Sequence, residues 1–259
     1  MVKGLYTAYT GMLNEQNRMD IMTNSLANVT TVGFKKEGST SQSFSDVLAV
    51  KIKDPSVGIS NVQRIGINNP GVKIGENYTD YTQGSFRITE NTYDLALDGD
   101  GFFAIEFTNK AGETSTKYTR AGQFTLNREG YLVTQEGDYV LDTQNRRIQL
   151  DTLQDSVIDT DGTIRQNERA VAQIQVTDFE NYDYLERYGE TYFQPIEGAR
   201  TTAADVDIYS GYLEMSNVQS VQEMVNLIAI TRSYESNQKV IQTIDDTLQI
   251  ASTQLGRLG

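Results

Sequence analysis

From Lys3 to about Asn28 the apolar side chains fall on a repeating pattern: Leu5, Met12, Met19 and Leu26 recur every seven residues, and Ala8, Met22 and Val29 each follow one of them by three. This stripe, broken by Glu15 and Gln16, predicts an amphipathic helix of ~25 residues, roughly 38 Å long. Gly4 and Gly11 each weaken it by about 1 kcal/mol relative to Ala, so the helix needs a partner. At the other end Leu227, Tyr234, Ile241, Leu248 and Leu255 recur at the same spacing, with Ile230, Ile244, Ala251 and Leu258 three residues after four of them. Only Asn237 breaks the second series. Ser216-Asn217-Val218-Gln219 reads as a capping box and predicts the helix start. A period of 3.5 sustained over about 40 residues, with no Pro and no Gly before Gly256, is a coiled-coil seam.

Between these helices the pattern shortens. Runs at 84–89, 93–97, 102–108, 117–120, 123–126, 131–134, 139–141, 171–179 and 191–193 are apolar or alternating, and Gly, Asn and Asp punctuate them. They predict antiparallel hairpins in a compact β domain over 80–197. Residues 35–79 contain Pro55, Pro70 and several Gly with little periodicity and read as an extended connection, as do 198–215. The fold class is therefore α+β: a discontinuous helical coiled-coil domain from both termini (1–34 plus 216–259) and a central antiparallel all-β domain.

Neither seam can bury itself alone. The helices can pair within one chain as an antiparallel hairpin, or pack against copies of themselves; a polar Asn237 suits either, because a buried amide selects register and partner number. The assembly residues this pattern marks are Leu5, Met12, Met19, Leu26, Leu227, Ile230, Tyr234, Asn237, Ile241, Ile244, Leu248 and Leu255.

Composition narrows the chemistry. The 259 residues contain no His and no Cys, which excludes Ser-His-Asp and Cys-His catalysis, His or thiolate zinc sites and disulfides. The net charge of −13 argues against nucleic acid, whose phosphates draw on clustered Lys and Arg. Residues 1–30 are neutral and 216–259 carry −1, so nearly all the charge sits in the middle, as expected if that part faces water. The N-terminus lacks the apolar core and cleavage pattern of a secretory signal, and no run of about 18 apolar residues predicts a membrane span. Absence of cysteine fits a cytosolic protein and equally an exported one that stays unfolded in transit.

Gly99-Asp100-Gly101-Phe102-Phe103-Ala104 matches the dinucleotide pattern G-x-G-x-x-A, but strand sequence follows where a helix would have to start. A tight hairpin turn joining Leu95–Leu97 to Phe103–Ile105 is the expected role. Asp94, Asp98 and Asp100 invite a calcium loop that fails at its fifth position, Phe102, and lacks a closing Glu; Asp159 and Asp161 read as acidic turns. No cofactor, metal, small-molecule substrate or catalytic residue is expected. Thirty-five acids make chance carboxylate pairs certain, and the aromatic residues are explained as strand and core positions.

Asn24-Ser25-Leu26-Ala27-Asn28-Val29-Thr30-Thr31-Val32-Gly33-Phe34-Lys35 resembles the N-terminal motif of the flagellar rod and hook family, N-N-L-A-N followed by T, G-F and K, with Ser25 departing from the usual Asn. Tyr93 to Phe103, with Gly99, Gly101, Phe102 and Phe103, is similar to its D-x-A-I-x-G-x-G-F-F stretch. Tyr118-Thr119-Arg120-Ala121-Gly122-Gln123-Phe124 and Gly130–Thr134 match its next hairpin. Gly211-Tyr212-Leu213-Glu214-Met215-Ser216-Asn217-Val218, Glu223–Asn226 and Arg232–Glu235 resemble its C-terminal motifs.

Length and a single β domain are like the rod members rather than the longer hook member. The resemblance implies a structural subunit with no reaction. Its expected partners are itself in a helical polymer, other rod and hook subunits, and the flagellar type III export apparatus. It implies a place in the basal body outside the inner membrane, reached without a cleaved signal, with end helices forming an inner tube by coiled-coil packing. A secreted adhesin or carbohydrate-binding module on a coiled-coil stalk is the alternative from another class.

Overall fold

The computed structural model describes residues 2–45, 47–52, 62–69, 71–110 and 112–255, and for 2, 47–52, 62–65, 67–68 and 255 it covers the backbone alone. Leu258, placed in the seam above, lies outside the described residues. The chain forms two compact units. One gathers Met1–Leu26, Glu37–Asp80 and Gln219–Gly259; the other gathers Ala27–Lys36 and Tyr81–Val218.

In the first unit, helices α1 (Val2–Ala27) and α2 (Ser220–Leu255) carry the two heptad stripes. A Cβ added at Gly4 would lie 3.7 Å from Ile244 Cδ1, and one at Gly11 would lie 3.1 Å from Asn237 Nδ2. Seven residues forward on α1 correspond to seven backward on α2, so the helices approach each other antiparallel within one chain. At Gly11 the missing side chain makes room for Asn237 of α2, whereas at Gly4 a Cβ would make only ordinary contact with Ile244. Along α2 burial follows the seam: Ile230 is buried, and Leu227, Tyr234, Asn237, Ile241 and Ile244 are half-buried. Leu248 departs from it at 41% exposed, and the side chain of Leu255 lies outside the described residues. On α1, Leu5, Met12, Met19 and Leu26 are half-buried around a buried Ala8.

Helix α2 starts at Ser220, four residues after the predicted cap. Its first turn closes by Glu223 N donating to Gln219 O (3.0 Å), while Ser216 Oγ accepts from Val218 N (3.3 Å) in a preceding turn.

Within 35–79, expected as an extended connection, the described residues include four strands: β1 (Glu37–Ser43) pairs with β4 (Val72–Thr79), and β2 (Val47–Ile52) with β3 (Val62–Asn68), both antiparallel. The β1 strand escapes pattern recognition because it is polar throughout. It docks on α1 through polar contacts, with Asn14 and Ser41 exchanging hydrogen bonds at 2.9 and 3.1 Å. At Gly71 a Cβ would fall 2.2 Å from Thr10 Oγ1, so only glycine fits there.

Among the described residues the second unit holds sixteen strands: β5 (Phe86–Ile88), β6 (Leu95–Asp98), β7 (Phe102–Thr108), β8 (Thr114–Thr119), β9 (Phe124–Leu126), β10 (Leu132–Thr134), β11 (Tyr139–Val140), β12 (Ser156–Ile158), β13 (Thr163–Gln166), β14 (Arg169–Gln173), β15 (Val176–Phe179), β16 (Leu185–Tyr188), β17 (Tyr192–Pro195), β18 (Thr201–Ala203), β19 (Asp207–Ser210) and β20 (Tyr212–Glu214). Residues 198–215, expected with the connection, supply three of them. The main sheet runs β16-β17-β8-β7-β11-β10-β9, with β15 joining β7 to β18. Strand β7 is apolar on both sides because it separates two cores. Phe103 packs with Leu95, Phe124, Leu132 and Ile164 on one side, while Phe102 and Ala104 pack with Tyr118, Phe179 and Phe193 on the other.

The turn at Gly99–Gly101 is present, but β6 and β7 do not form the expected hairpin: β6 pairs with β19, and β7 with β8, β11 and β15. The turn carries the chain from one sheet to another.

Candidate functional site: the junction around Glu214

The chain passes between the two units at 26/27, 36/37, 80/81 and 218/219. On the β side, the segments next to these crossings are tied together in one cluster. Strand β20 ends at Glu214, whose side chain is 1% exposed. One carboxylate oxygen accepts from Lys35 Nζ at 2.7 Å and from Gly84 N at 2.9 Å; the other accepts from Arg120 Nε at 2.7 Å. The backbone carbonyl of Glu214 accepts from Gly33 N at 2.8 Å.

Two buried cations share this one buried carboxylate, and backbone carbonyls take up further donors. Lys35 Nζ also donates to Thr82 O (2.8 Å), and the Arg120 guanidinium donates to the carbonyls of Gly99 and Gly101. Charges taken out of water persist only when every donor and lone pair finds such partners. Around this centre, Asn217 Oδ1 accepts from Lys36 N (2.8 Å), Asn217 Nδ2 donates to Thr82 O and Oγ1 (3.1 Å each), and Met215 N donates to Ser85 O (2.9 Å).

Sterics fix the entry of the N-terminal segment. Gly33 has φ +68°, and a Cβ there would fall 2.3 Å from Ala121 N, against backbone that cannot move aside. Phe34, 1% exposed, lies under the Arg187 guanidinium at 4.2 Å, and Arg187 also donates to Lys35 O at 3.2 Å.

The structure thus brings together motif residues that are far apart in sequence: Gly33, Phe34, Gly99, Gly101, Ser216, Asn217 and Val218 all lie in or beside this cluster. Phe102 and Phe103 stand in the two cores below it. Asn28 closes the turn after α1, where its Oδ1 accepts from Thr31 Oγ1 at 2.9 Å. Asn24 and Leu26 lie on α1 in the helical unit, and Ala27 is exposed at its end. The three charges at the centre, Lys35, Arg120 and Glu214, each occur inside a motif, but no spacing rule pairs residues 94 and 179 positions apart. Only Glu214 stands out locally, as the single charge between 208 and 222; Lys35 is followed by Lys36 and Glu37, and Lys117 precedes Arg120 by three residues.

The cluster offers no chemistry: its carboxylate oxygens face cations and amides. Among the described residues no three Asp or Glu converge as a metal ion would require, and no helix is long and apolar enough to cross a membrane. Its arrangement is that of a mechanical tie.

The same three segments match known families. Residues 5–35 match the flagella basal body rod protein family, 96–166 the flagellar hook protein FlgE/F/G D1 domain, and 209–254 the flagellar basal body rod FlgEFG protein C-terminal family. Over 96% of the chain, and 97% of the relative, it is 34% identical to the flagellar basal-body rod protein FlgG of Bacillus subtilis. The chain belongs to the flagellar basal-body rod protein family. In Caulobacter vibrioides two family members are similar to it: FlgG at 32% over 97% of the chain, and FlgF at 32% over its whole length. The three central charges, Lys35, Arg120 and Glu214, come one from each of the three matched regions.

Proposed function

We propose that the chain is a subunit of the distal rod, the drive shaft between motor and hook, and that it acts by polymerising. The observation that carries this reading is the likeness over nearly the full length to rod proteins named FlgG, with both end helices included. Subunits leave the cytoplasm through the flagellar type III export apparatus and assemble outside the inner membrane, on themselves and on other rod and hook subunits. The helical unit forms the inner tube and the β unit the outer wall. No reaction is catalysed.

The proximal rod is the second reading, favoured by the full-length likeness to FlgF. Deletion of the gene in the source bacterium, with swimming assays and electron microscopy of isolated basal bodies, tests both. Non-motile cells with a long rod stub support the distal position, and a short stub the proximal one. Swimming cells with complete rods overturn the rod assignment.

A further inference from the structure

The helices turn a second set of apolar side chains away from each other. On α2, Val221, Met224, Val225 and Ile228 are between 49% and 75% exposed. Their i, i+3, i+4, i+7 spacing makes one stripe, roughly opposite the Leu227–Ile230–Tyr234 seam at about 100° per residue. On α1, Tyr6, Tyr9 and Leu13 are between 40% and 61% exposed. They form a third face, apart from the glycines that meet α2 and from Thr10 and Asn14 under the β1–β4 strands.

Both stripes lie in uncharged surroundings. Residues 4–14 contain no Asp, Glu, Lys or Arg, and between 219 and 231 the single charged side chain is Glu223, buried at 1% exposed. The antiparallel register of Gly4 with Ile244 and Gly11 with Asn237 places Tyr6–Leu13 level with residues 235–242 of α2. The two stripes therefore sit at opposite ends of the helix pair, about 21 Å apart along its axis at 1.5 Å per residue.

We propose that the occupant of each stripe is a second copy of this chain, with Val221–Ile228 of one copy seated on Tyr6–Leu13 of the next. The inference rests on the rod reading and names the contact that reading requires. Unlike patches at opposite ends make a heterologous contact, which repeats without closing, whereas each stripe pairing with itself would close a two-fold dimer. Each stripe exposes on the order of 300–400 Å², well under the ~800 Å² per partner of a stable binary complex. One such contact holds two free subunits only weakly, at high concentration, and it becomes strong when many are made together in a polymer. With no charge on either stripe, copies of a chain carrying −13 meet there without like-charge repulsion.

The absence of cysteine makes a clean test. The full chain carrying both Tyr9→Cys and Ile228→Cys is expressed in the deletion strain, and isolated basal bodies are oxidised. A ladder of dimers, trimers and higher species is expected, with none from either single-cysteine chain. Swimming cells that give no ladder overturn the stripe contact while leaving the rod assignment standing. Dimers from Ile228→Cys alone overturn it in favour of two-fold pairing.

Should the double-cysteine chain fail to assemble, purified full chains carrying Met224→Asp with Ile228→Asp, or Tyr9→Asp with Leu13→Asp, decide in its place. At high concentration each alone is expected to sediment as monomer with unchanged helical content, and their equal mixture to form dimer. A mixture that stays monomeric, or either variant self-associating like the parent chain, overturns the proposal.

Discussion

Replacing Glu214 by Gln keeps the shape of the side chain and removes its charge. The new amide nitrogen must face either Lys35 Nζ and Gly84 N or Arg120 Nε, so a donor meets a donor whichever way it turns. Two cations, with side chains 2% and 4% exposed, then lose the carboxylate charge that both contact. Breaking a buried ion pair from one side costs about 3–5 kcal/mol, which for a unit of this size lowers Tm by roughly 6–20 °C.

The internal control is Glu106→Gln. That carboxylate binds Arg147 just as closely, at 2.6 Å, but the two side chains are 19% and 42% exposed. The same loss of charge there is expected to cost under about 1 kcal/mol. Thermal unfolding of the full chain, followed by tyrosine fluorescence for the β unit and by far-ultraviolet circular dichroism for the helices, measures both. A Glu214→Gln loss no larger than that of Glu106→Gln refutes the reasoning, since it would mean that burial adds nothing to the tie.

Two further outcomes follow from local geometry. The Tyr192 hydroxyl donates to Asp138 Oδ2 at 2.8 Å, and burial, with help from that carboxylate and against the Thr134 contact, holds the phenol well above its usual 10. The unfolded chain therefore loses its proton first as pH rises past about 10, so stability present below that value is lost above it. Tyr192→Phe is expected to cost about 1 kcal/mol at neutral pH, and to flatten the decline between about pH 10 and 11 in urea titrations; an unchanged slope counts against this. In the β13–β14 turn, Asn167 (φ 49°) and Glu168 (φ 65°) both adopt the left-handed conformation that two-residue hairpins need. Glu168→Gly is expected to raise stability by about 1 kcal/mol, and a measured loss would show that the Glu side chain contributes there.

Much of this architecture is legible from side-chain periodicity, and the parts that are not share a physical cause. The two end helices stand where the seven-residue stripes predict them, and strands such as Phe102–Thr108 stand where apolar runs predict them because they lie between two cores. The β1–β4 pair does not read, because Glu37–Ser43 carries polar side chains and is held by α1 and by backbone pairing rather than by an apolar face. The helix start at Ser216 fails for a different reason: Asn217, which would sit within the predicted first turn, is instead committed to Lys36 and Thr82. The central charges were visible one by one within motifs, yet their pairing depends on three-dimensional closure.

The fourfold crossing of the chain bears on how the molecule comes to be folded. Neither unit is a continuous stretch of sequence, and the tie joins residues 179 positions apart. A chain emerging in order, from a ribosome or from a narrow channel, holds Lys35 and Arg120 early but has no Glu214 for them until more than four-fifths of its length is out. The α1 helix waits longer still, since Ile244 and Asn237 come near the end. Such long-range closure is slow, because the entropy of a large loop is lost before any contact rewards it. The contacts that fix α1 and the tie therefore form only once the C-terminal part of the chain is available.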